Sequence, residues 1–219
     1  MTKRAVTIVD YNVGNLRSMG RAIKEAGGEP VFDSTPEGVA AADVIVLPGV
    51  GAFGSCISAL QERGLDDAVR EVVAKGRPLL GVCVGMQMLL DESTEFGRTP
   101  GFGFIPGIVD RIPSVGADGK PHKVPHIGWS ELKETGAGWA GTPLDTIEPH
   151  SSCYFVHSFA ARPVDPSHVI ATCDYDGQEI CAAVRRDSIV GMQFHPEKSG
   201  PTGLKILARF IETAYGDRE

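Results

Sequence analysis

The sequence lacks two features that mark secreted and membrane proteins: a regular cysteine framework and a long apolar run. Its five cysteines are an odd number with no CxxC pair, so a disulfide scaffold is not indicated. No apolar stretch is long enough to span a bilayer, and the first ten residues lack the apolar core of a signal peptide. These absences predict a protein of the reducing cytoplasm.

The sequence also has fewer basic than acidic residues, with 21 Lys and Arg against 28 Asp and Glu. The excess of acidic residues gives a net charge of −7 and a pI of about 5.4, which disfavours non-specific binding to nucleic acids or anionic membranes. Hydrophobic residues make up 42% and charged residues 22% of the chain, an ordinary globular composition that excludes disordered and fibrous classes. Since no linker or repeat interrupts the sequence, we expect a single domain over residues 1–219.

Short β-branched runs alternate with helical patterns in the first half of the chain. Strands are predicted at residues 6–10, 30–32, 43–47 and 78–82, and helices at 16–26 and 65–75. This alternation is typical of a mostly parallel sheet with helices on both faces, an α/β fold. The second half has shorter alternating segments, including residues 153–157 and a hairpin turning at 186–187. We therefore expect antiparallel additions before a final helix at about residues 202–214.

The sequence Gly-Val-Cys-Val-Gly at residues 81–85 places Cys83 where a predicted strand ends and a helix, continuing through Leu90, begins. Glycines two residues away on either side fit a nucleophile elbow, whose sharp turn leaves no room for neighbouring Cβ atoms. The turn also puts the thiol at a helix N-terminus, where the helix field and free N–H groups favour a thiolate and bind an oxyanion. The alternative is a buried cysteine between two packing glycines.

A second chemical signal, Gln-Phe-His-Pro-Glu, lies near the other end of the chain at residues 193–197. His195 is placed to accept the thiol proton, and Glu197 to orient the imidazole and stabilise its charged form. Pro196 between them restricts the backbone. By itself the segment is a loop with a solvated glutamate, but together with Cys83 it completes a Cys-His-Glu triad.

The elbow and the Phe-His-Pro-Glu segment together resemble the class I, or triad, glutamine amidotransferases, and the resemblance covers nearly the whole chain. It implies a flavodoxin-like fold and an attack by Cys83 on the side-chain amide of glutamine. Ammonia then leaves, and water hydrolyses the γ-glutamyl thioester to glutamate. The same resemblance makes His195 the general base and then acid, with Glu197 as its orienting partner.

The segment Pro-Gly-Val-Gly at residues 48–51 begins a GxGxxG pattern that suggests dinucleotide binding. It follows the third predicted strand instead of the first, and no strand ending in an acid follows about 20 residues later, so we expect no nucleotide cofactor. The resemblance instead assigns Val50 and Gly51 to an oxyanion-hole loop that acts with the N–H of Val84. We hypothesise that this loop flips to present its donor, which its glycines make easy.

Further segments narrow the resemblance to the glutaminase subunits of imidazole glycerol phosphate synthase. They are residues 9–18, Pro-His-Ile-Gly-Trp at 125–129, Tyr-Phe-Val-His-Ser-Phe at 154–159 and His-Pro-Glu-Lys-Ser at 195–199. Two departures are small: Ser130 stands where Asn is usual, and Phe159 where Tyr is common. The resemblance implies a heterodimer with a cyclase subunit of (β/α)₈-barrel fold. That partner uses the ammonia to make imidazole glycerol phosphate and aminoimidazole carboxamide ribotide, which makes the complex a lyase of histidine biosynthesis.

The same resemblance assigns individual side chains to ligands and to the partner. Gln87, Glu95 and Ser158 are expected to bind glutamine, and Trp129 and Lys198 to face the cyclase, since aromatic and cationic anchors are common at interfaces. The alternative for Glu95 is a solvated loop carboxylate, and for Trp129 a place in the core.

Two other functions fit parts of the same pattern. One is another cysteine enzyme of similar shape: the glutaminase of anthranilate or aminodeoxychorismate synthesis, or a peptidase-like hydrolase. The Pro-His-Ile-Gly-Trp and Pro-Gly-Val-Gly segments argue against it. The other is a non-catalytic homologue, which we expect to have lost at least one member of the triad, whereas this chain has all three.

His122 and His126 suggest a zinc site, but Pro125 separates them and no third ligand is near, so no metal is expected.

Overall fold

The computed structural model describes residues 4–216. Strands there are β1 (Ala5–Val9), β2 (Glu29–Asp33), β3 (Ile45–Gly49), β4 (Leu79–Cys83), β5 (Glu92–Ser93), β6 (Thr99–Pro100), β7 (Gly107–Arg111), β8 (His126–Glu134), β9 (Ser152–His157), β10 (Phe159–Pro163), β11 (Val169–Tyr175), β12 (Gln178–Arg186) and β13 (Ile189–Met192). The α-helices are α1 (Leu16–Glu25), α2 (Pro36–Ala41), α3 (Phe53–Gln61), α4 (Leu65–Ala74), α5 (Val84–Gln87) and α6 (Gly200–Gly216). Two 3₁₀ turns lie at Pro166–His168 and Pro196–Lys198.

The main sheet has nine strands in the order β2-β1-β3-β4-β13-β12-β11-β8-β9. The first five are parallel to one another, and their order is the doubly wound arrangement of flavodoxin-like folds. The other four, from the second half of the chain, are antiparallel. A smaller sheet joins β10-β7-β5-β6. The predicted parallel sheet with antiparallel additions is confirmed.

The helices cover the parallel strands in two groups. Helix α1 packs with α6, while α2 and α3 pack with α4. The buried stripe of α4, which contains Leu65, Val69 and Val72, follows the spacing read from the sequence. One buried apolar cluster extends from Val6 to Ala214, in keeping with the single domain over residues 1–219, which stays a prediction. Within the described part of the chain, no helix is long and apolar enough to cross a membrane.

The helix after Cys83 is shorter than predicted, because α5 ends at Gln87 instead of continuing through Leu90. The chain returns past this point, and the carbonyls of Met88 and Leu89 accept hydrogen bonds from Phe102 and Ile105 N–H groups. The N–H groups of Leu89 and Leu90 bond only three residues back, to Met86 and Gln87, so the four-residue bonding of an α-helix ends here. The close return of residues 101–105 is a tertiary contact that the local pattern does not reveal.

The C-terminal hairpin also turns one residue later than predicted. Arg186 still belongs to β12 and pairs with Ile189, so the turn consists of Asp187 and Ser188. Asp187 has a φ of +53°, a left-handed conformation that aspartate tolerates better than arginine does. The second strand of the hairpin, β13, ends at Met192, and His195 lies three residues beyond it.

Candidate active site

Cys83 sits at the tip of a strained turn between β4 and α5. Its φ is +56° and its ψ −113°, a conformation that costs a non-glycine residue on the order of 1–3 kcal/mol. A Cβ at Gly85 would lie 1.9 Å from the Leu47 carbonyl oxygen, and one at Gly81 would lie 2.7 Å from the Gly85 oxygen. Glycine is therefore required on both sides of the cysteine, which is the geometry of a nucleophile elbow.

The N–H groups at the start of α5 lie beside the thiol. Val84 is the first residue of the helix, so its N–H has no partner within the helix and is free to bind an oxyanion. With four residues, α5 is too short for a full helix macrodipole. The sequence-based expectation of a helix field is thus corrected to a local effect of individual N–H groups.

His195 and Glu197 form a buried pair at the C-terminal side of β13. The Nδ1 of His195 lies 2.9 Å from Oε1 of Glu197, and both side chains are only 3% exposed. Burial alone lowers the pKa of His195, but interactions with Cys83 and Glu197 outweigh it and raise that pKa to about 9. Among residues 4–216, Nε2 of His195 has no hydrogen-bond partner. This nitrogen is therefore available to exchange a proton with a reacting group.

Cys83 and His195 face the same cavity of about 300 Å³, a volume that suits a small metabolite. The predicted oxyanion and substrate residues line it as well: Val50, Gly51, Val84, Gln87, Glu95 and Ser158. These positions come from the loop after β3, from α5, from the loop after β5 and from the residue between β9 and β10. Glu197 stands behind His195, outside this cavity, as an orienting group should.

Two of the predicted substrate-binding residues already form hydrogen bonds within the protein. The Glu95 carboxylate accepts a hydrogen bond from the Phe53 N–H at 2.7 Å, so it is not a freely solvated loop carboxylate. Gln87 is buried, and its Nε2 donates to the Phe159 carbonyl at 2.9 Å and to Oε1 of Gln193 at 3.0 Å. Any contact of Gln87 with a ligand is thus left to its side-chain oxygen.

Gln193 is a residue of the active site that was not predicted from the sequence. It is fully buried, and its Nε2 points at Sγ of Cys83 from 3.8 Å. The available signal was its position two residues before His195, because alternate residues of an extended segment lie on the same face. Gln193 connects Gln87 to the nucleophile.

The oxyanion-hole loop predicted at residues 48–51 is held at its start by close contacts and at Val50 by a hydrogen bond from the Cys56 thiol to the Val50 carbonyl at 3.4 Å. Tyr11 OH donates to the Pro48 carbonyl at 2.5 Å, and a Cβ at Gly49 would lie 2.5 Å from the Gly85 nitrogen. Gly51, at φ +88°, has open space where a Cβ would be. The glycines of this GxGxxG pattern therefore serve close packing against the elbow and a left-handed turn.

The two residues predicted to face a partner both lie on the outside, around Tyr154. Trp129 is 57% exposed, so the core alternative for it is wrong, and its ring meets that of Tyr154 edge-on at 5.9 Å. The Lys198 Nζ is 5.8 Å from the centre of the same ring. Across residues 4–216, no three His, Cys, Asp or Glu side chains, including those of His122 and His126, gather as potential metal ligands.

A Cys-His-Glu site on a doubly wound sheet defines the triad class of glutamine amidotransferases. The sequence model of the family described as glutamine amidotransferase class-I matches residues 8–214, and the chain belongs to this family. Two solved structures share the fold: a glutamine amidotransferase (TM-score 0.71, 21% identity, 95% of this chain and 98% of that one) and PurLQS from Thermotoga maritima (TM-score 0.70, 20% identity, 96% and 99%).

Curated relatives narrow the class further. Imidazole glycerol phosphate synthase subunit HisH 1 of Legionella pneumophila (strain Lens) is 46% identical over 95% of this chain and 99% of its own length. Subunit HisH of Geobacter sulfurreducens is 45% identical over 97% and 99%, and that of Rhodopirellula baltica 42% over 94% and 96%. Within the class, the chain therefore belongs to the HisH family.

Proposed function

We propose that this chain is the glutaminase subunit of an imidazole glycerol phosphate synthase and hydrolyses L-glutamine at Cys83. The observation that carries the proposal is a cysteine on a strained elbow, facing one cavity with a buried His195–Glu197 pair. The names of the HisH relatives support the same activity and argue against a synthase of another pathway.

The first half of the reaction forms a thioester. The proton of the Cys83 thiol is first transferred to Nε2 of His195, whose pKa is raised to about 9, and Sγ then attacks the side-chain carbonyl carbon of glutamine. The carbonyl oxygen becomes an oxyanion that accepts hydrogen bonds from the Val84 N–H and from a main-chain N–H of Val50 or Gly51. The imidazolium then protonates the amide nitrogen, the C–N bond breaks, and ammonia leaves.

The second half releases glutamate. A water molecule gives a proton to Nε2 of His195 and attacks the thioester carbonyl carbon. The C–S bond breaks, and the Cys83 sulfur regains the proton. Glu197 remains an anion throughout and stabilises the imidazolium.

Three side chains of the cavity are proposed to hold glutamine before the reaction. The free carboxylate oxygen of Glu95 suits the α-amino group, because opposite charges attract strongly in a partly buried site. The side-chain oxygen of Gln87 and the backbone at Ser158 supply further polar contacts. No cofactor or metal takes part in this scheme.

The ammonia is proposed to pass to a cyclase subunit of (β/α)₈-barrel fold, which forms a heterodimer with this chain in the cytoplasm. The exposed Trp129 and Lys198, both beside Tyr154, suit the edge of that interface. The cyclase would use the ammonia to make imidazole glycerol phosphate and aminoimidazole carboxamide ribotide. The proposed flip of residues 48–51 would couple docking to glutamine hydrolysis.

The direct test measures glutamate and ammonia formed from glutamine by the purified chain, alone and with a candidate cyclase and its nucleotide ligand. We expect little turnover alone and a large increase in the complex. Folded protein that forms no glutamate in either condition would disprove the glutaminase, whereas full activity without a partner would remove only the coupling to docking.

A further inference from the structure

A chain of buried polar groups runs outward from the cavity wall, which His157 and Phe159 help to form, and the two histidines in it have no part in the scheme above. The Ser130 Oγ lies 2.9 Å from Nε2 of His126, whose Nδ1 lies 3.1 Å from Nε2 of His157. The Nδ1 of His157 in turn lies 2.9 Å from the Phe159 carbonyl oxygen. Three strands contribute to this chain, because Ser130 and His126 belong to β8, His157 to β9 and Phe159 to β10.

The chemistry of the last acceptor determines the direction of every bond in the chain. A carbonyl oxygen can only accept, so Nδ1 of His157 carries a proton, and Nε2 of the neutral ring is an acceptor. Nδ1 of His126 must then donate to it, which leaves Nε2 of His126 as an acceptor for the Ser130 hydroxyl. Both imidazoles are therefore fixed in the Nδ1–H form.

Both rings are held in the neutral form by their surroundings. His126 is 2% and His157 6% exposed, and the His126 ring stacks between Tyr175 and Phe155 at 4.0 and 5.1 Å. Burial lowers the pKa of His126 to about 4 and that of His157 to about 3. A proton added to His157 would place two N–H groups face to face and oppose the positive charge of His195.

The chain continues from Phe159 to the nucleophile. The same Phe159 carbonyl accepts a second hydrogen bond from Gln87, which is bonded to Gln193, whose amide points at Sγ of Cys83. Between His157 and Phe159 lies Ser158, which lines the cavity. The position of one carbonyl thus affects both the wall that faces glutamine and the amide pair beneath the sulfur.

We propose that His126 and His157 are positioning residues for glutamine hydrolysis, which fix the Phe159 carbonyl, and through it Gln87, by a one-directional hydrogen-bond chain. The outer end of this chain, Ser130, directly follows the exposed Trp129. A partner that moves β8 therefore also moves the wall of the glutamine site. This inference rests on the proposed glutaminase activity.

Two amide substitutions separate positioning from simple packing. In His157→Asn the amide nitrogen replaces Nδ1 and still donates to the Phe159 carbonyl, whereas in His157→Gln the amide stands at the Nε2 position and that donor is lost. With the cyclase and its nucleotide ligand present, we expect kcat/KM for glutamine to fall about tenfold in H157Q, mainly through KM. H157N should stay within about threefold of the wild type. The exposed His150→Asn serves as the control.

Equal kinetics of H157N and H157Q, whether both impaired or both normal, would overturn the proposal, because packing alone would then account for His157. Thermal unfolding shows whether each variant is folded. A second measurement does not depend on activity: ¹⁵N NMR of histidine-labelled wild-type protein should show the Nδ1–H form for both His126 and His157. An Nε2–H form at either residue would contradict the chain. A wild-type protein that is inactive but has both Nδ1–H forms would refute the proposed function and leave the hydrogen-bond chain intact.

Discussion

The two sides of the active-site cavity are held in place by different physical means. At the elbow, residues 81–85, backbone packs against backbone, and a Cβ at Gly85 would lie 1.9 Å from the Leu47 oxygen. On the opposite side, which we call the histidine wall (residues 156–159 with His126), buried side chains are joined end to end by hydrogen bonds. The elbow has one geometry that sterics allow, whereas the histidine wall depends on which nitrogen carries which proton.

This difference separates a fixed part of the site from an adjustable one. Steric exclusion does not respond to pH or to events at the surface, so the position of Cys83 is constant. A hydrogen-bond chain can change when one proton or one strand moves. The nucleophile is therefore set by the parallel half of the sheet, whereas the proposed effects of docking act on the loop at residues 48–51 and on the histidine wall of the antiparallel half.

The largest effect should come from removing the nucleophile at the elbow. Cys83→Ala keeps the backbone but deletes the sulfur, so no thioester can form, and we expect turnover to fall by on the order of 10⁴ or more. Glutamate formation by the complex measures the loss, and circular dichroism checks that the variant is folded. Unchanged turnover would refute the nucleophile assignment.

A smaller effect is expected from the carboxylate behind the imidazole. Glu197→Gln keeps the shape but removes the negative charge, and kcat should fall on the order of 10³-fold. The pKa of His195, raised to about 9, predicts that wild-type activity falls as the pH rises through about 9, because the imidazolium that protonates the departing amide nitrogen is lost. Without the carboxylate this pKa is lower, so the alkaline limb of kcat should move to lower pH. If the alkaline limb of the kcat profile stays at the same pH in the variant, Glu197 does not raise the pKa of His195.

Steric exclusion at the elbow predicts a loss of stability from one methyl group. Gly85→Ala should reduce the free energy of unfolding by about 3 kcal/mol or more, because the Leu47 carbonyl is backbone and cannot easily move. Gly136→Ala, where a Cβ meets nothing within 4 Å, is the matched control and should change it by less than about 0.5 kcal/mol. Urea unfolding compares the two. Equal stability would mean that the elbow adjusts as readily as the histidine wall.

The outer surface beside the histidine wall should affect binding more than folding. Trp129→Ala removes an exposed ring and should weaken the affinity for the cyclase about tenfold, as truncated aromatic anchors do, with little change in thermal unfolding. Val164→Ala, another exposed apolar residue, should bind the cyclase as the wild type does. Calorimetric titration gives both dissociation constants. If the two variants bind equally well, the interface lies elsewhere.

The smallest effect concerns the acid stability of the histidine wall. The pKa of His126 is lowered from 6.5 to about 4, so between these values the unfolded chain binds a proton that the folded chain does not. This contribution to stability is present above pH 6.5 and is lost as the pH falls toward 4. His126→Asn removes the titrating group, so its unfolding free energy should fall less steeply than that of the wild type. Parallel curves for H126N and wild type would refute a neutral His126.

The family and the parallel half of the fold were predictable because they depend on local patterns. An elbow needs glycines around its nucleophile, and a parallel strand buried on both faces needs a continuous apolar run. The predicted α/β fold is confirmed by the strand order, and the predicted family by the match to its sequence model. The roles of Cys83, His195 and Glu197 stay predictions, as do those of Val50, Gly51, Val84, Gln87, Glu95 and Ser158, all of which the fold brings to one site.

Other features could not be read from the sequence because their partners are distant along the chain. His126 and His157 are 31 positions apart, and Gln87 and Gln193 are 106 apart. A sequence pattern shows which residues share a face of one strand, but not which strands become neighbours. For the same reason α5 was predicted to be longer than it is.

The reactive groups of this protein can be recognised in short motifs, since the thiol lies between two glycines and the histidine is two residues from a glutamate. How these groups come together depends on the tertiary structure. Placing β13 beside β4 brings His195 to the cavity of Cys83, and placing β8 beside β9 joins two buried histidines into one directed chain. Strand order is fixed by burial of the whole sheet, a property that no single segment contains.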